Sequence, residues 1–218
     1  MCGRYTLRKF PAIEGIDVGG LLAQWNHLNR YNVAPTQQMP VLRWSGRPEA
    51  AELSWGIRAK WQKKTDRPLI NARSETAANK PTFKTAVARR RCLIPADGFY
   101  EWKRDVKPAQ PVYFHLENEA PFWFAGIWEI DTYLILTTRP NRLIEPIHDR
   151  MPVILDRWNA ADWLGDTPLE PARYESLCAP YPAHKMDRRE VSRKVNSARN
   201  DGPECLEPNE SGGPDELF

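Results

Sequence analysis

Cys2 stands directly behind Met1, so removal of the initiator leaves one residue that carries both a free α-amine and a thiol. An α-amine ordinarily titrates near about 7.7–8.0 against about 10.4 for Lys, so much more of it is the neutral nucleophile at neutral pH. Such an amine condenses with an aldehyde to an imine. The adjacent thiol, with an ordinary pKa of about 8.5, then adds to the imine carbon and closes a five-membered thiazolidine. An internal cysteine lacks the amine and cannot complete this ring.

Elsewhere, rare polar residues sit among turn residues in Arg30-Tyr31-Asn32-Val33-Ala34-Pro35-Thr36, Asn71-Ala72-Arg73-Ser74-Glu75-Thr76, Pro95-Ala96-Asp97-Gly98-Phe99-Tyr100-Glu101-Trp102 and Ile147-His148-Asp149-Arg150-Met151-Pro152. Glu101 lies among Phe99, Tyr100 and Trp102. That apolar wall is expected to raise its carboxyl from about 4.3 toward neutrality and suit it to general acid and base work. Asn71, just past Pro68-Leu69-Ile70, can donate and accept; it orients a reacting group or, alternatively, caps a turn or helix over Ser74–Asn79. Arg73 offers a planar fork to phosphate. His148 titrates near neutrality and can move a proton or hold a phosphate, while Asp149 can pair with an arginine and fix the loop. Nine tryptophans suggest aromatic platforms: Trp55, Trp61 and Trp102 are candidates to stack on bases. Trp123 and Trp128 fall in an apolar run and read as core. Arg89-Arg90-Arg91 ends a helical pattern, where positive charge serves the macrodipole as readily as a phosphate.

The elements that must position these residues are mostly short β-type runs punctuated by Pro and Gly: Met39–Trp44, Leu53–Ile57, Cys92–Pro95, Phe99–Lys103, Val112–Leu116, Phe122–Trp128, Tyr133–Thr138 and Val153–Leu155. Helical patterns are fewer, at Leu21–Leu28, Thr82–Arg91, Asn159–Leu164 and Pro171–Leu177. The pattern predicts one α+β domain, mainly an antiparallel sheet or barrel with peripheral helices. No phosphate-binding glycine loop or internal repeat is present, which argues against a nucleotide-dependent enzyme. Cys2, Cys92, Cys178 and Cys205 show no metal-ligand or disulfide spacing, so no cofactor or metal is expected. The N-terminus lacks a signal-peptide core, and no apolar run approaches a membrane span; a cytoplasmic protein is expected, nucleoid-associated if bacterial. All 31 Lys and Arg precede residue 201, whereas Asp201, Glu204, Glu207, Glu210, Asp215 and Glu216 follow it. This predicts a basic body over 1–200, suited to a polyanion, and an acidic tail over 201–218, at least partly flexible.

Together with Cys2-Gly3-Arg4-Tyr5, these stretches resemble the SRAP family of abasic-site processing and DNA–protein crosslink proteins, over nearly the whole chain to Val191-Ser192-Arg193-Lys194-Val195-Asn196. The resemblance implies an SRAP-like fold and a mature protein that starts at Cys2. It implies covalent capture of abasic sites in single-stranded DNA, possible junction preference and an SOS-type damage role. It places Asn71 and Arg73 in the active-site groove beside Cys2, Glu101 and His148, and marks Arg4 and Arg150 as DNA-backbone contacts. Loss of a base exposes a C1′ aldehyde, the electrophile that an aminothiol captures; a Schiff base there also acidifies the C2′ proton and permits lyase chemistry. Autopeptidase action ahead of Cys2 is a further implication, and a monomer is the simplest expectation. Two other readings stand beside it: an N-terminal-nucleophile cysteine amidohydrolase or peptidase, and a non-covalent single-stranded DNA-binding module.

Overall fold

The computed structural model describes residues 2–59, 62–63 and 66–209. Its strands are β1 (Tyr5–Leu7), β2 (Arg30–Val33), β3 (Gln38–Trp44), β4 (Pro48–Trp55), β5 (Asn71–Arg73), β6 (Arg91–Ala96), β7 (Gly98–Lys103), β8 (Gln110–Leu116), β9 (Phe122–Glu129), β10 (Thr132–Thr138), β11 (Met151–Pro152), β12 (Ile154–Leu155) and β13 (Met186–Glu190). The helices are short: α1 (Val18–Leu21), α2 (Ser74–Ala77), α3 (Lys84–Arg89), α4 (Arg157–Trp163) and α5 (Pro171–Leu177).

One sheet is five-stranded, in the order β13-β8-β7-β1-β2. In the other, β3, β4, β10, β9 and β6 close into a ring, because β10 pairs with both β9 and β4; β5 and β11 dock on β10, and β12 docks on β9. Pairing is antiparallel except where β10 meets β4 and β5. The result is the α+β single-domain fold, built mainly from antiparallel sheet, that the strand pattern predicts.

Period-two alternation explains why the ring strands are buried on both faces. In β9, Phe122 and Phe124 join the core between the sheets, whereas Trp123, Ala125 and Ile127 join the core under the helices. In β10, Tyr133 and Ile135 face the first and Leu134 and Leu136 the second. The inter-sheet core also contains Cys2, Tyr5, Met39, Leu53, Trp55 and Phe99. Cys2 therefore belongs to the hydrophobic layer between the sheets.

The helical expectations need adjustment. The Leu21–Leu28 pattern is not one helix: α1 starts at Val18 with Asp17 as its cap and ends at Leu21, and a 3-10 turn over Ala23–Trp25 follows. Gly19 and Gly20 in so short a segment give little helical propensity. The pattern at 82–91 yields only α3, because Arg91 turns inward to start β6. There the buried Arg91 guanidinium donates to the carbonyls of Val87, Ala88, Trp163 and Thr167. It caps a helix and binds no exposed phosphate. Trp123 is buried as expected; Trp128 is half-buried, with the Arg43 guanidinium 4.7 Å from its ring centre.

The domain boundary expected at residue 200 also moves. Asp201 pairs with Arg30 and accepts from the Tyr31 and Asn32 backbone N–H groups at 2.8 and 2.7 Å, Cys205 is buried, and Asn209 donates to Gln110 at 2.7 Å. Residues 201–209 are thus packed onto the body; residues 210–218 lie outside the described residues. No helix among the described residues is long and apolar enough to cross a membrane.

Candidate active site

Strand β1 runs between β2 and β7, with Tyr5 opposite Phe99 and Thr6 opposite Gly98. The ladder continues past the strand, since the Tyr100 N–H donates to the Arg4 carbonyl at 3.0 Å. Extending that register carries Gly3 level with Glu101 and brings Cys2 to the same end of the sheet. The parallel pairing of β5 on β10 sets Asn71 opposite Ile135. From there its Nδ2 donates to the Cys2 carbonyl at 2.8 Å. The connection from β10 to β11 returns His148 over the site, with Nε2 4.0 Å from a Glu101 carboxylate oxygen. Cys2, Asn71, Glu101 and His148, far apart in sequence, therefore converge.

The site is dry. Cys2 is fully buried and Glu101 1 % exposed. Burial, reinforced by the Glu101 charge, drives the Cys2 thiol well above its ordinary pKa, so it is held as the thiol. Burial raises Glu101 to about 7, against the pull of the Arg104 charge. His148 is shifted down, chiefly by burial. A carboxyl that titrates near 7 can give and take a proton at neutral pH with equal ease.

The imidazole is oriented by its own loop. Nδ1 of His148 accepts from the Arg150 backbone N–H at 2.9 Å, which leaves the proton of the neutral ring on Nε2, the nitrogen facing Glu101. Asp149, 3.0 Å from Nδ1, favours the opposite arrangement in which that nitrogen is protonated. Asn71 places Nδ2 on Cys2, and its buried Oδ1 has no hydrogen-bond partner among the described residues. It is not a helix cap: α2 is preceded by Arg73, which makes no side-chain cap.

The expected DNA contacts divide. Arg73 is exposed at the end of β5, and Trp102 is half-buried on β7 with its indole N–H donating to Asn196 at 2.6 Å. Arg73 stands two residues past Asn71 on the same strand, whereas Trp102 packs with Tyr100, Val195 and Cys205 on the other face of β7 from Phe99. Trp55 does not qualify: it is 0 % exposed, its N–H donates to the Ile70 carbonyl at 3.0 Å, and its ring lies parallel to Tyr133 at 6.4 Å. Alternation along β4 turns it into the inter-sheet core. Arg4 is also already engaged, donating to Asn32 Oδ1 at 2.8 Å and to the Val195 carbonyl at 2.7 Å. Arg150 forms a two-pronged pair with Glu75 at 2.8 and 2.7 Å and donates to the Thr137 carbonyl at 2.6 Å. Trp61 lies outside the described residues.

Several participants escape sequence reasoning. Tyr5 and Tyr133 share a buried hydroxyl–hydroxyl hydrogen bond of 2.9 Å beside Cys2. Arg104 lowers the pKa of both Glu101 and His148; its position three residues after Glu101 is the only sequence signal for it. Asn32 gathers the C-terminal segment through the carbonyls of Val195, Ser197 and Asn200 at 3.2, 2.9 and 2.7 Å. All four cysteines are free and buried, and no cluster of three or more His, Cys, Asp or Glu fit for a metal occurs among the described residues.

A closed ring of strands with Cys2 gathered against Asn71, Glu101 and His148 defines the class. The chain belongs to the SRAP (SOS response associated peptidase) family, whose model matches residues 1–198. Among its relatives, the abasic site processing protein YoqW of Bacillus subtilis is 40 % identical over 222 residues, covering 95 % of this chain and 99 % of that one. The abasic site processing protein YedK of Escherichia coli is 33 % identical over 225 residues, covering 95 % and 100 %. A crystal structure of a protein from Bacteroides thetaiotaomicron superimposes with a TM-score of 0.75 at 22 % identity, covering 95 % of this chain and 99 % of that one, which establishes the shared fold.

Proposed function

We propose that the mature chain, beginning at Cys2, binds single-stranded DNA and captures abasic sites covalently as a thiazolidine. The observation that carries this reading is the convergence of Cys2 with Asn71, Glu101 and His148, with Glu101 tuned to about 7. The names of the relatives, abasic site processing proteins, point to the same substrate.

The chemistry follows from the groups present. The Cys2 α-amine adds to the C1′ aldehyde of the ring-opened sugar and gives a carbinolamine. Glu101, half protonated near neutral pH, donates a proton to the departing hydroxyl; water leaves and an imine forms. The thiol then adds to the imine carbon while its proton passes, through Glu101 or His148, to the nitrogen. One water is lost overall. Asn71 holds the Cys2 backbone by its carbonyl and offers Oδ1 to the amine or to a hydroxyl of the open sugar. Burial of the thiol disfavours a free thiolate, so ring closure waits on a proton acceptor at hand. The same groups, run in reverse, reopen the ring. Abstraction of the C2′ proton from the imine gives β-elimination, a lyase side reaction, and removal of residues ahead of Cys2 is an autopeptidase step in the same cluster. Arg73, two residues past Asn71, serves as a phosphate contact, and the half-buried Trp102 serves as a base contact.

The test mixes protein with single-stranded DNA that contains one abasic site and follows the adduct by denaturing gel and intact mass. The expected product is a heat-stable adduct lacking Met1, lighter by one water than the sum of its parts, absent with undamaged DNA and with Cys2→Ala. DNA binding without an adduct, after verified Met1 removal, supports the non-covalent module instead. Neither adduct nor binding turns the reading to an N-terminal-nucleophile hydrolase.

A further inference from the structure

Glu75 follows Arg73 at the start of α2 and touches none of the four converging side chains directly, yet it is the only carboxylate bound to Arg150 among the described residues. Its two oxygens meet the two terminal nitrogens of the guanidinium, the geometry that orients an arginine most firmly. Burial alone would raise the Glu75 carboxyl, but the Arg150 bonds and the backbone N–H groups of Glu75 and Arg139 hold it below the ordinary range. A third bond, from Arg150 to the Thr137 carbonyl, ties the pair to β10. Immediately after Arg150, β11 pairs with Thr137 and Thr138. The Arg150 backbone is thus pinned from both its side chain and the following strand.

That backbone carries the N–H which donates to His148 Nδ1. Two groups compete for this nitrogen. The Arg150 N–H requires it bare; the Asp149 carboxylate at 3.0 Å requires it protonated. Which of them prevails decides whether the neutral ring points a proton-bearing or a bare Nε2 at Glu101.

We infer that Glu75 is a positioning residue: by clamping Arg150 it holds the Arg150 N–H on His148 Nδ1 and so fixes the tautomer whose Nε2 proton faces Glu101. The inference deepens the crosslinking reading above and rests on it for its kinetic consequence. Hydrogen bonds to one ring nitrogen commonly set the role of the other. Glu75 contributes through Arg150 and makes no contact with the sugar.

The experiment compares wild-type protein with Glu75→Ala, Glu75→Gln and, as a control, Glu175→Gln. Glu175 is exposed and lines the same cavity of about 490 Å³ as Glu75, between α2, α3 and α5, without bonding Arg150. Long-range ¹H–¹⁵N correlation of the His148 ring, recorded without DNA, reports the tautomer independently of catalysis. The expected result is a single Nε2–H tautomer in wild type, in the control and largely in Glu75→Gln, and a mixture in Glu75→Ala. Crosslinking should slow about 10-fold in Glu75→Ala, below the usual cost of deleting a general acid or base outright, and by no more than about 3-fold in Glu75→Gln. Affinity for undamaged single-stranded DNA should stay within about 2-fold throughout.

An unchanged His148 tautomer in Glu75→Ala overturns the inference, whatever the rate does. So does tighter DNA binding with normal chemistry, which would make Glu75 a competitor with phosphate for Arg150. If Glu75→Ala fails to fold, Arg150→Lys, which keeps the charge and loses the fork, must show the same mixed tautomer. Wild-type protein that never crosslinks refutes the proposed function, yet the tautomer comparison still decides the coupling.

Discussion

Glu101→Gln should stabilise the protein, and by an amount that grows with pH. The carboxyl titrates near 4.5 when the chain is unfolded and at about 7 in the fold, because burial opposes its charge. Between those values the folded state holds a proton that the unfolded state has released, so each pH unit removes about 1.4 kcal/mol of stability. The term is negligible below 4.5 and complete above 7, where it reaches about 3 kcal/mol. Since the residue is only 1 % exposed, solvent screening reduces it little. Gln keeps the shape and carries no charge to bury. Urea unfolding of both proteins should therefore give curves that nearly coincide at pH 5, within about 1 kcal/mol, and separate by about 3 kcal/mol at pH 8, the variant being the more stable. The same variant should crosslink about 100-fold more slowly at neutral pH, because the proton donor is gone. Greater stability with less activity marks a charge retained for chemistry. A stability difference that does not change with pH would refute the assigned titration and, with it, the role of Glu101 as acid and base.

Asn71→Ala should lower the crosslinking rate about 10-fold through loss of the hold on the Cys2 carbonyl, at a stability cost of about 1 kcal/mol by thermal melt. Trp102→Ala should weaken binding to single-stranded DNA about 10-fold, whereas Trp55→Phe should lower the melting temperature and leave affinity within about 2-fold; reversal of this pair would mean that β4 presents its other face. Arg73→Ala should reduce the slope of log affinity against log salt by about one, measured by fluorescence anisotropy at several salt concentrations. Asp201→Ala should cost about 2–3 kcal/mol, because two backbone N–H groups and Arg30 lose their acceptor together; truncation after residue 209 is the comparison, and an equal loss there would shift the anchoring role past Asp201.

Much of the cluster was legible because its chemistry is local. An aminothiol depends on position in the chain, and Glu101 announces its apolar surroundings through the residues on either side. Asn71, Arg73 and His148 stood out as polar choices at turns. What escaped depends on partners distant in sequence. Nothing near Arg4 or Arg150 reveals that Val195 and Glu75 already bind their guanidinium groups, and arginines so engaged look the same in sequence as arginines open to phosphate. Trp55 misled for a different reason: an aromatic side chain reads as a stacking platform whichever face it takes, while the alternation along β4 turned the ring inward. In the fold, the long alternating strands were readable and β1, β2 and β5 were not, since strands of three or four residues have little periodicity and form because neighbours supply their hydrogen bonds. The acidic stretch past residue 200 read as solvated by composition, yet Asp201 is a cap for backbone groups of β2, a role that charge counting cannot distinguish from disorder.

The bonds from Arg4 to Val195 and from Asn32 to residues 195, 197 and 200 set an order of events during synthesis. As the chain leaves the ribosome, its first residues emerge long before the carbonyls that will hold Arg4 have been made. Only when the last part of the domain arrives can Arg4 and Asn32 close on residues 195, 197 and 200, so the strands beside Cys2 are completed by the far end of the chain.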